Sequence, residues 1–154
     1  NMTLKELSDL DMARQRLKYP NRPETLIIRT KFTDKTANGI AKCIEFFIQH
    51  KGGIARRINT MGRYLPGKSI SKGFYGNVNT KGKYIPTTSV LGAADFSILI
   101  NGINWECEIK IGKDRQSDNQ KEYQKRIESS GGHYSIVRNF TDFIEQYNKL
   151  ISTL

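Results

Sequence analysis

Acidic side chains are scarce in this chain relative to basic ones. Asp and Glu number 15 against 25 Lys and Arg, a formal net charge of +10. Between residues 60 and 91 there is no acid at all. Long apolar runs are missing too: nothing approaches the roughly 18–20 residues that cross a bilayer, so no membrane partner is expected. No stretch pairs a charged start with a following apolar segment, as a secretion signal would. Cysteine is limited to Cys43 and Cys107, both in apolar-patterned segments and without metal-ligand spacing. That is too few for a disulfide framework, and it reads as two buried thiols in a reducing cytoplasm. No internal repeat or low-complexity tract is present, which argues against solenoid and linker architectures.

What remains is 154 residues, 37% hydrophobic, enough for one domain with its own core. A chain this basic is expected to attract polyanions through phosphate contacts.

The first helix is expected over residues 3–18, opened by the capping box of Thr3 and Glu6, with a ragged stripe of Leu4, Leu7, Leu10 and Leu17. Tyr19-Pro20 ends it, and residues 25–30 form a short strand or an extended packing segment. Residues 1–35 therefore read as an N-terminal accessory layer. A second helix over 36–50 places Ile40, Ile44, Phe47 and Ile48 on one face and stops at Gly52-Gly53. Glu45 flanks that face, either as a further acid for a site or as a solvated side chain. A strand over 54–59 follows, in which Arg56 and Arg57 must point to opposite faces. Arg57 is preferred as the one shared with the functional face.

Residues 60–91 form a basic, Gly- and Tyr-rich insertion. Arg63, Lys68, Lys72, Lys81 and Lys83 are interleaved there with Tyr64, Phe74, Tyr75 and Tyr84. Cations for phosphates and aromatic faces for unstacked bases are what a nucleic-acid groove requires. One or two solvated hairpins with packed tyrosines fit the same composition.

The rest of the chain is organised around residues 92–110. Two strand-like runs flank Asn101-Gly102, a two-residue hairpin turn in which both positions need positive φ. Pairing Ile100 with Ile103 then sets Asp95 opposite Glu108, and alternation adds Lys110 to the same face. Trp105, Cys107, Ile109 and Ile111 form an apolar row on the other face. Two carboxylates face to face repel unless something neutralises them. The constellation suits a divalent metal beside a fixed cation, or a plain salt bridge in which Lys110 relieves the repulsion.

After a short connection carrying Lys113 and Arg115, a helix over 117–129 opens with a capping box of Ser117 and Gln120. Gln120, Tyr123, Gln124 and Ile127 share one face, so Gln120 is either a cap or a group turned toward the carboxylates. A strand over 133–137 follows, beginning with His133, which reads as structural rather than as a base. Thr141 is expected to cap a last helix carrying Phe143, Ile144, Tyr147, Leu150 and Ile151. This order implies an α/β fold with a small mixed sheet, the hairpin antiparallel and the last strand laid parallel by the helical crossover.

The Gly92-x-x-Asp95 turn, the Glu108-x-Lys110 strand and the following helix with Gln120 resemble the PD-(D/E)xK nuclease superfamily. The similarity is strongest to its VRR-NUC branch and related small phage-type endonucleases, over roughly residues 36–145. Two positions depart from the pattern: Ala94 stands where proline is common, and Ala37-Asn38-Gly39 opens its helix without the usual acid. The resemblance implies a restriction-endonuclease-like core in αβββαβ order with an extra N-terminal helix. It further implies that Asp95, Glu108 and the backbone carbonyl of Ile109 hold Mg²⁺ or Mn²⁺. Lys110 would serve the attacking water, through a lowered pKa or as a fixed charge, and Gln120 would complete the catalytic set. The expected activity is metal-dependent hydrolysis of DNA, with an inactive nucleic-acid-binding module on the same fold as the alternative. Arg57, Arg63, Lys72, Lys81, Lys83, Lys113 and Arg115 are the candidate nucleic-acid contacts. A homodimer would suit cuts on two strands. Asp95→Ala and Lys110→Ala are both expected to abolish cleavage with the fold intact.

Overall fold

A computed structural model describes residues 2–58, 63–67, 69–71, 77–85 and 90–153. Its elements are α1 (Leu4–Lys18), a 3₁₀ turn (Glu24–Leu26), α2 (Ala37–His50), β1 (Ile54–Arg57), β2 (Arg63–Leu65), β3 (Ser69–Ser71), β4 (Asn77–Asn79) and β5 (Lys83–Ile85). They continue with β6 (Phe96–Ile100), β7 (Ile103–Ile109), α3 (Asp118–Ser129), β8 (His133–Val137) and α4 (Phe140–Ile151). The fold is mixed α/β. A sheet of order β1-β6-β7-β8 is antiparallel between its first three strands and parallel between β7 and β8. The parallel pair is joined through α3, as a helical crossover requires.

Helix starts follow the local chemistry. Thr3 and Glu6 cap α1 reciprocally, Ser117 and Gln120 do the same for α3, and the Thr36 hydroxyl accepts from Gly39 N–H at the start of α2. The last helix corrects the expectation. Asn139, not Thr141, is its cap, accepting from Asp142 N–H at 2.8 Å. Starting two residues earlier brings Phe140 into the helix and buries it. Residues 25–30 form no strand. Thr25 and Leu26 belong to the 3₁₀ turn, and residues 27–30 run along α1, where Gln15 Nε2 donates to the Ile28 carbonyl, Thr30 bonds Asp11 and Arg29 pairs with Asp9.

α2 and α4 cover one face of the sheet, and α1 packs on α2. The α2 stripe of Ile40, Ile44, Phe47 and Ile48 is buried as its spacing predicts. The α1 stripe is thinner than expected, for Leu7 is sealed while Leu17 stays in solvent. Trp105 stacks on Phe143 with ring centroids 5.0 Å apart, and Phe47 meets Phe140, Phe143 and Tyr147 edge-on. Cys43 and Cys107 are free and buried in this core. Among the described residues no helix is long and apolar enough to cross a membrane.

The insertion is not structureless. β2 pairs with β5 and β3 with β4, both antiparallel, so two short ladders nest one within the other between β1 and β6. Lys68, Lys72, Phe74 and Tyr75 lie outside the described residues.

Gly92 shows why the loop before Asp95 needs glycine. Its φ is +78°, and a Cβ there would sit 2.3 Å from the Asn119 carbonyl in the first turn of α3. Gly102 has nearly the same φ, +79°, but faces open space. Gly102→Ala is therefore expected to cost about 1 kcal/mol from backbone strain alone. Gly92→Ala should cost at least twice that, roughly 2–4 kcal/mol, because α3 must also move. Urea denaturation of the two variants measures the difference.

Candidate active site

The turn places the site. Asn101 (φ 49°) and Gly102 are both left-handed, and the ladder runs from Ile100 opposite Ile103 to Phe96 opposite Cys107. One step further, Asp95 faces Glu108, as the spacing predicts. The Asp95 Oδ2 accepts from Ile109 N–H at 2.9 Å, which closes the end of the hairpin. In an extended strand the N–H and C=O of one residue point to the same side, so the Ile109 carbonyl also faces Asp95. Trp105, Cys107 and Ile109 are buried on the opposite face, with Ile111 packed at its margin.

α3 turns the carboxylate face into an interior one. Glu108 is 3% exposed and Lys110 6%. Glu108 Oε1 accepts from Lys110 Nζ at 2.9 Å and from Gln120 Nε2 at 2.6 Å. Gln120 Oε1 accepts from Lys110 Nζ at 3.1 Å and from Ser117 N–H at 3.0 Å. One rotamer of Gln120 thus serves both as helix cap and as site residue. Asp114, on the connection to α3, adds a second carboxylate 3.4 Å from Lys110 Nζ. Glu108 Oε2 is buried with no hydrogen-bond partner.

Burial raises the Glu108 carboxyl above its ordinary range and Asp95 adds to this, against the pull of Lys110. Burial alone would lower Lys110, but its bonds to Glu108 and Asp114 outweigh that and hold it above the usual lysine value. Of the two roles expected for Lys110, a lowered pKa or a fixed charge, the metal-free network favours the fixed cation.

The residues present fit a hard divalent cation. An orphaned carboxylate oxygen on Glu108, the Asp95 carboxylate and the Ile109 carbonyl meet at one end of the hairpin, and oxygen donors suit Mg²⁺ or Mn²⁺. Only two acids take part: among the described residues no group of three or more His, Cys, Asp and Glu side chains is placed to hold a metal. Glu45 is not a third, since it lines a groove between α1 and α2 with Asp11, Lys42 and Gln49.

The arginine preference is also corrected. Register sets Arg56 beside Ser97, and Ser97 beside Glu106, on the carboxylate face. Arg57 lies on the other face, where its guanidinium donates to Asn38 at 2.7 Å. β1 runs antiparallel to β6, and this pairing was not readable from the dipeptide itself. Lys113 and Arg115 stand exposed on the connection beside Lys110, and Lys81 and Lys83 are exposed on the insertion. For Arg63 only the backbone, in β2, is described. His133 is exposed and pairs in register with Trp105, opposite to Glu108, which suits its structural reading.

Sequence reasoning missed Glu106 and Tyr134. Glu106 is 4% exposed on the same face as Glu108 and bonds Ser97 and Tyr123, with its own Oε2 unpartnered. Tyr134 lies next to it in register, its hydroxyl near Gln116. Alternation did put Glu106 on the face of Glu108 and Lys110, but a charged strand face is ordinarily solvated, so the run itself gave no sign that α3 would bury it. A scan against protein-family models finds no match for this chain, and neither does a search of curated proteins.

Burial raises Glu106 in the fold, despite the bonds from Ser97 and Tyr123. A raised acid stabilises the fold fully only below its unfolded value, near 4.5, and loses that contribution as pH climbs through the folded value. In metal-free buffer Glu106→Gln is therefore expected to raise stability at pH 7, and the gain should vanish below about pH 4. Urea midpoints across pH test this.

Proposed function

We propose that this chain is a metal-dependent endonuclease that hydrolyses DNA phosphodiesters on a restriction-endonuclease-like core. The observation that carries the reading is the buried, unpartnered Oε2 of Glu108 beside Asp95, held in a network with Lys110 and Gln120. A buried carboxylate oxygen without a donor is costly, and a bound cation removes that cost. The connectivity of α2, β1, β6, β7, α3 and β8 supports it, because it puts both acids on one hairpin end.

When bound, Mg²⁺ or Mn²⁺ supplies a water of lowered pKa and neutralises charge on the phosphate. The chain's own residues do the rest. Asp95, Glu108 and the Ile109 carbonyl would hold the cation. Lys110, fixed by Glu108 and Gln120, presents a positive charge to the phosphoryl oxygens as the water oxygen bonds to phosphorus. The P–O bond to one sugar oxygen then breaks; the attacking water gives up its proton to solvent, and the departing sugar oxygen takes one up from solvent. Gln120 keeps Glu108 and Lys110 in register. Lys113, Arg115 and Arg56 rim the site and suit the flanking phosphates.

A second reading has its own observation. Glu108 Oε1 already has Lys110 and Gln120, and only two acids converge, which suits an inactive nucleic-acid-binding module.

Cleavage of supercoiled plasmid, linear duplex, single strand and a four-way junction with Mn²⁺ or Mg²⁺ separates the two. Asp95→Asn is expected to lose at least about a hundredfold in rate while remaining folded. Lys110→Ala should be inactive as well, but it leaves Glu108 buried without its counter-charge and is expected to lose roughly 3–5 kcal/mol of stability. This replaces the expectation of an intact fold, and circular dichroism with urea titration reads it. No cutting, together with no calorimetric binding of Mn²⁺, leaves the binding module.

A further inference from the structure

The outer ladder of the insertion places Tyr64 directly opposite Tyr84. Cross-strand partners share a face, so the two phenol rings stand side by side on one side of the ribbon. They are 64% and 60% exposed, among the largest apolar surfaces left in solvent among the described residues. Tyr64 lies along the backbone of Gly82: a Cβ there would meet its hydroxyl oxygen at 1.9 Å. Lys81 and Lys83 flank Tyr84 and are exposed. The other side of the ribbon carries Leu65 opposite Lys83. The tyrosine side is thus an exposed aromatic surface in a segment with no acid, with exposed Lys81 nearby in the chain and Lys83 on the reverse of the same ribbon.

We propose that the Tyr64–Tyr84 pair is a stacking platform for unpaired bases, so that the preferred substrate carries single-stranded or unstacked DNA rather than continuous duplex. This deepens the nuclease reading by naming the substrate, and it rests on that reading only for the cleavage step. The chemistry follows from exposure and charge. Every base has a π face, but in a duplex those faces are covered by neighbours, and only an unpaired base can lie on a phenol ring. Lys81 and Lys83 supply backbone contacts that a duplex and a single strand accept alike. The tyrosines therefore discriminate, and the lysines do not.

The test measures binding without chemistry. The full chain in EDTA is titrated into a fluorescein-labelled mixed-sequence single strand and into its duplex, and anisotropy is read. Tyr64→Ala/Tyr84→Ala is expected to weaken single-strand binding by roughly tenfold or more and to change duplex binding by less than about twofold. Tyr64→Phe/Tyr84→Phe should bind the single strand like the parent chain, since stacking needs the ring and not the hydroxyl. Lys81→Ala/Lys83→Ala should weaken both substrates alike and flatten the salt dependence. Equal loss on both substrates in the alanine pair, no loss on either, loss in the phenylalanine pair, or no single-strand binding by the parent chain would each overturn the proposal. Circular dichroism confirms that the exposed substitutions leave the fold in place. A chain that binds single strands through the tyrosines yet never cuts overturns the nuclease reading alone. A chain that cuts duplex and ignores the tyrosines overturns this proposal alone.

Discussion

The register of one hairpin decides where almost every other group in this protein lies. Two left-handed residues, Asn101 and Gly102, form the turn, and from there pairing proceeds one residue at a time to Asp95 and Glu108. Side chains alternate along a strand with period 2, so a slip of one residue would exchange the faces completely. Trp105, Cys107 and Ile109 would then meet the polar side, and Glu106, Glu108 and Lys110 would enter the aromatic core. Burying each large apolar side chain contributes about 2 kcal/mol. Placing an uncompensated charge in the core costs several kcal/mol more. Both terms oppose the slip, and that makes the meeting of the two carboxylates a consequence of packing on the far face.

What covers the charged face is an unusual roof. α3 has no buried residue, and the face it turns to the sheet is made of Gln120, Tyr123, Gln124 and Ile127 rather than an apolar stripe. Side chains that can donate and accept are what a buried row of charges needs, since each ion taken out of water must recover its hydrogen bonds. Gln120 meets that need twice, toward Glu108 and toward Lys110, while still capping its own helix. Gly92 allows the close approach, because its backbone touches the first turn of α3 where a side chain would not fit. The orphaned oxygens on Glu108 and Glu106 show where that compensation stops. An apolar helix and an apolar strand face would be the more stable arrangement. The charges are best understood as held against a folding cost for what they do.

The elements dominated by local physics were legible in the sequence. Capping boxes set α1 and α3, the apolar spacing of α2 matched its buried face, and the turn dipeptide set the hairpin register. Non-local choices were less visible. Asn139 and Thr141 are both sound caps, and the burial of Phe140 against Phe47 and Phe143 selects the former. Arg56 and Arg57 cannot be told apart until the pairing of β1 with β6 is known. Glu106 looked like one more solvent-facing charge, because nothing in the 103–110 run announces that a helix beginning twelve residues later folds over it. For the insertion, turn dipeptides made hairpins one of the two readings, but strands of three residues carry too short an alternation to show where they lie.

The insertion also explains how a strongly basic chain can be selective. Phosphate attraction from a +10 surface acts on any nucleic acid and fades with salt, so it sets affinity but cannot distinguish one strand arrangement from another. On the proposed reading the carboxylate face would meet a single phosphodiester and could not distinguish them either. Selectivity has to come from groups that touch bases or read shape. On the described surface, the exposed aromatic pair on the ribbon is the group suited to that task. It enters the chain between β1, which carries Arg56, and Asp95, which directly precedes β6, so on the proposed reading the base platform would be tied to the carboxylate site by short stretches of chain, eight residues from Arg56 to Tyr64 and eleven from Tyr84 to Asp95.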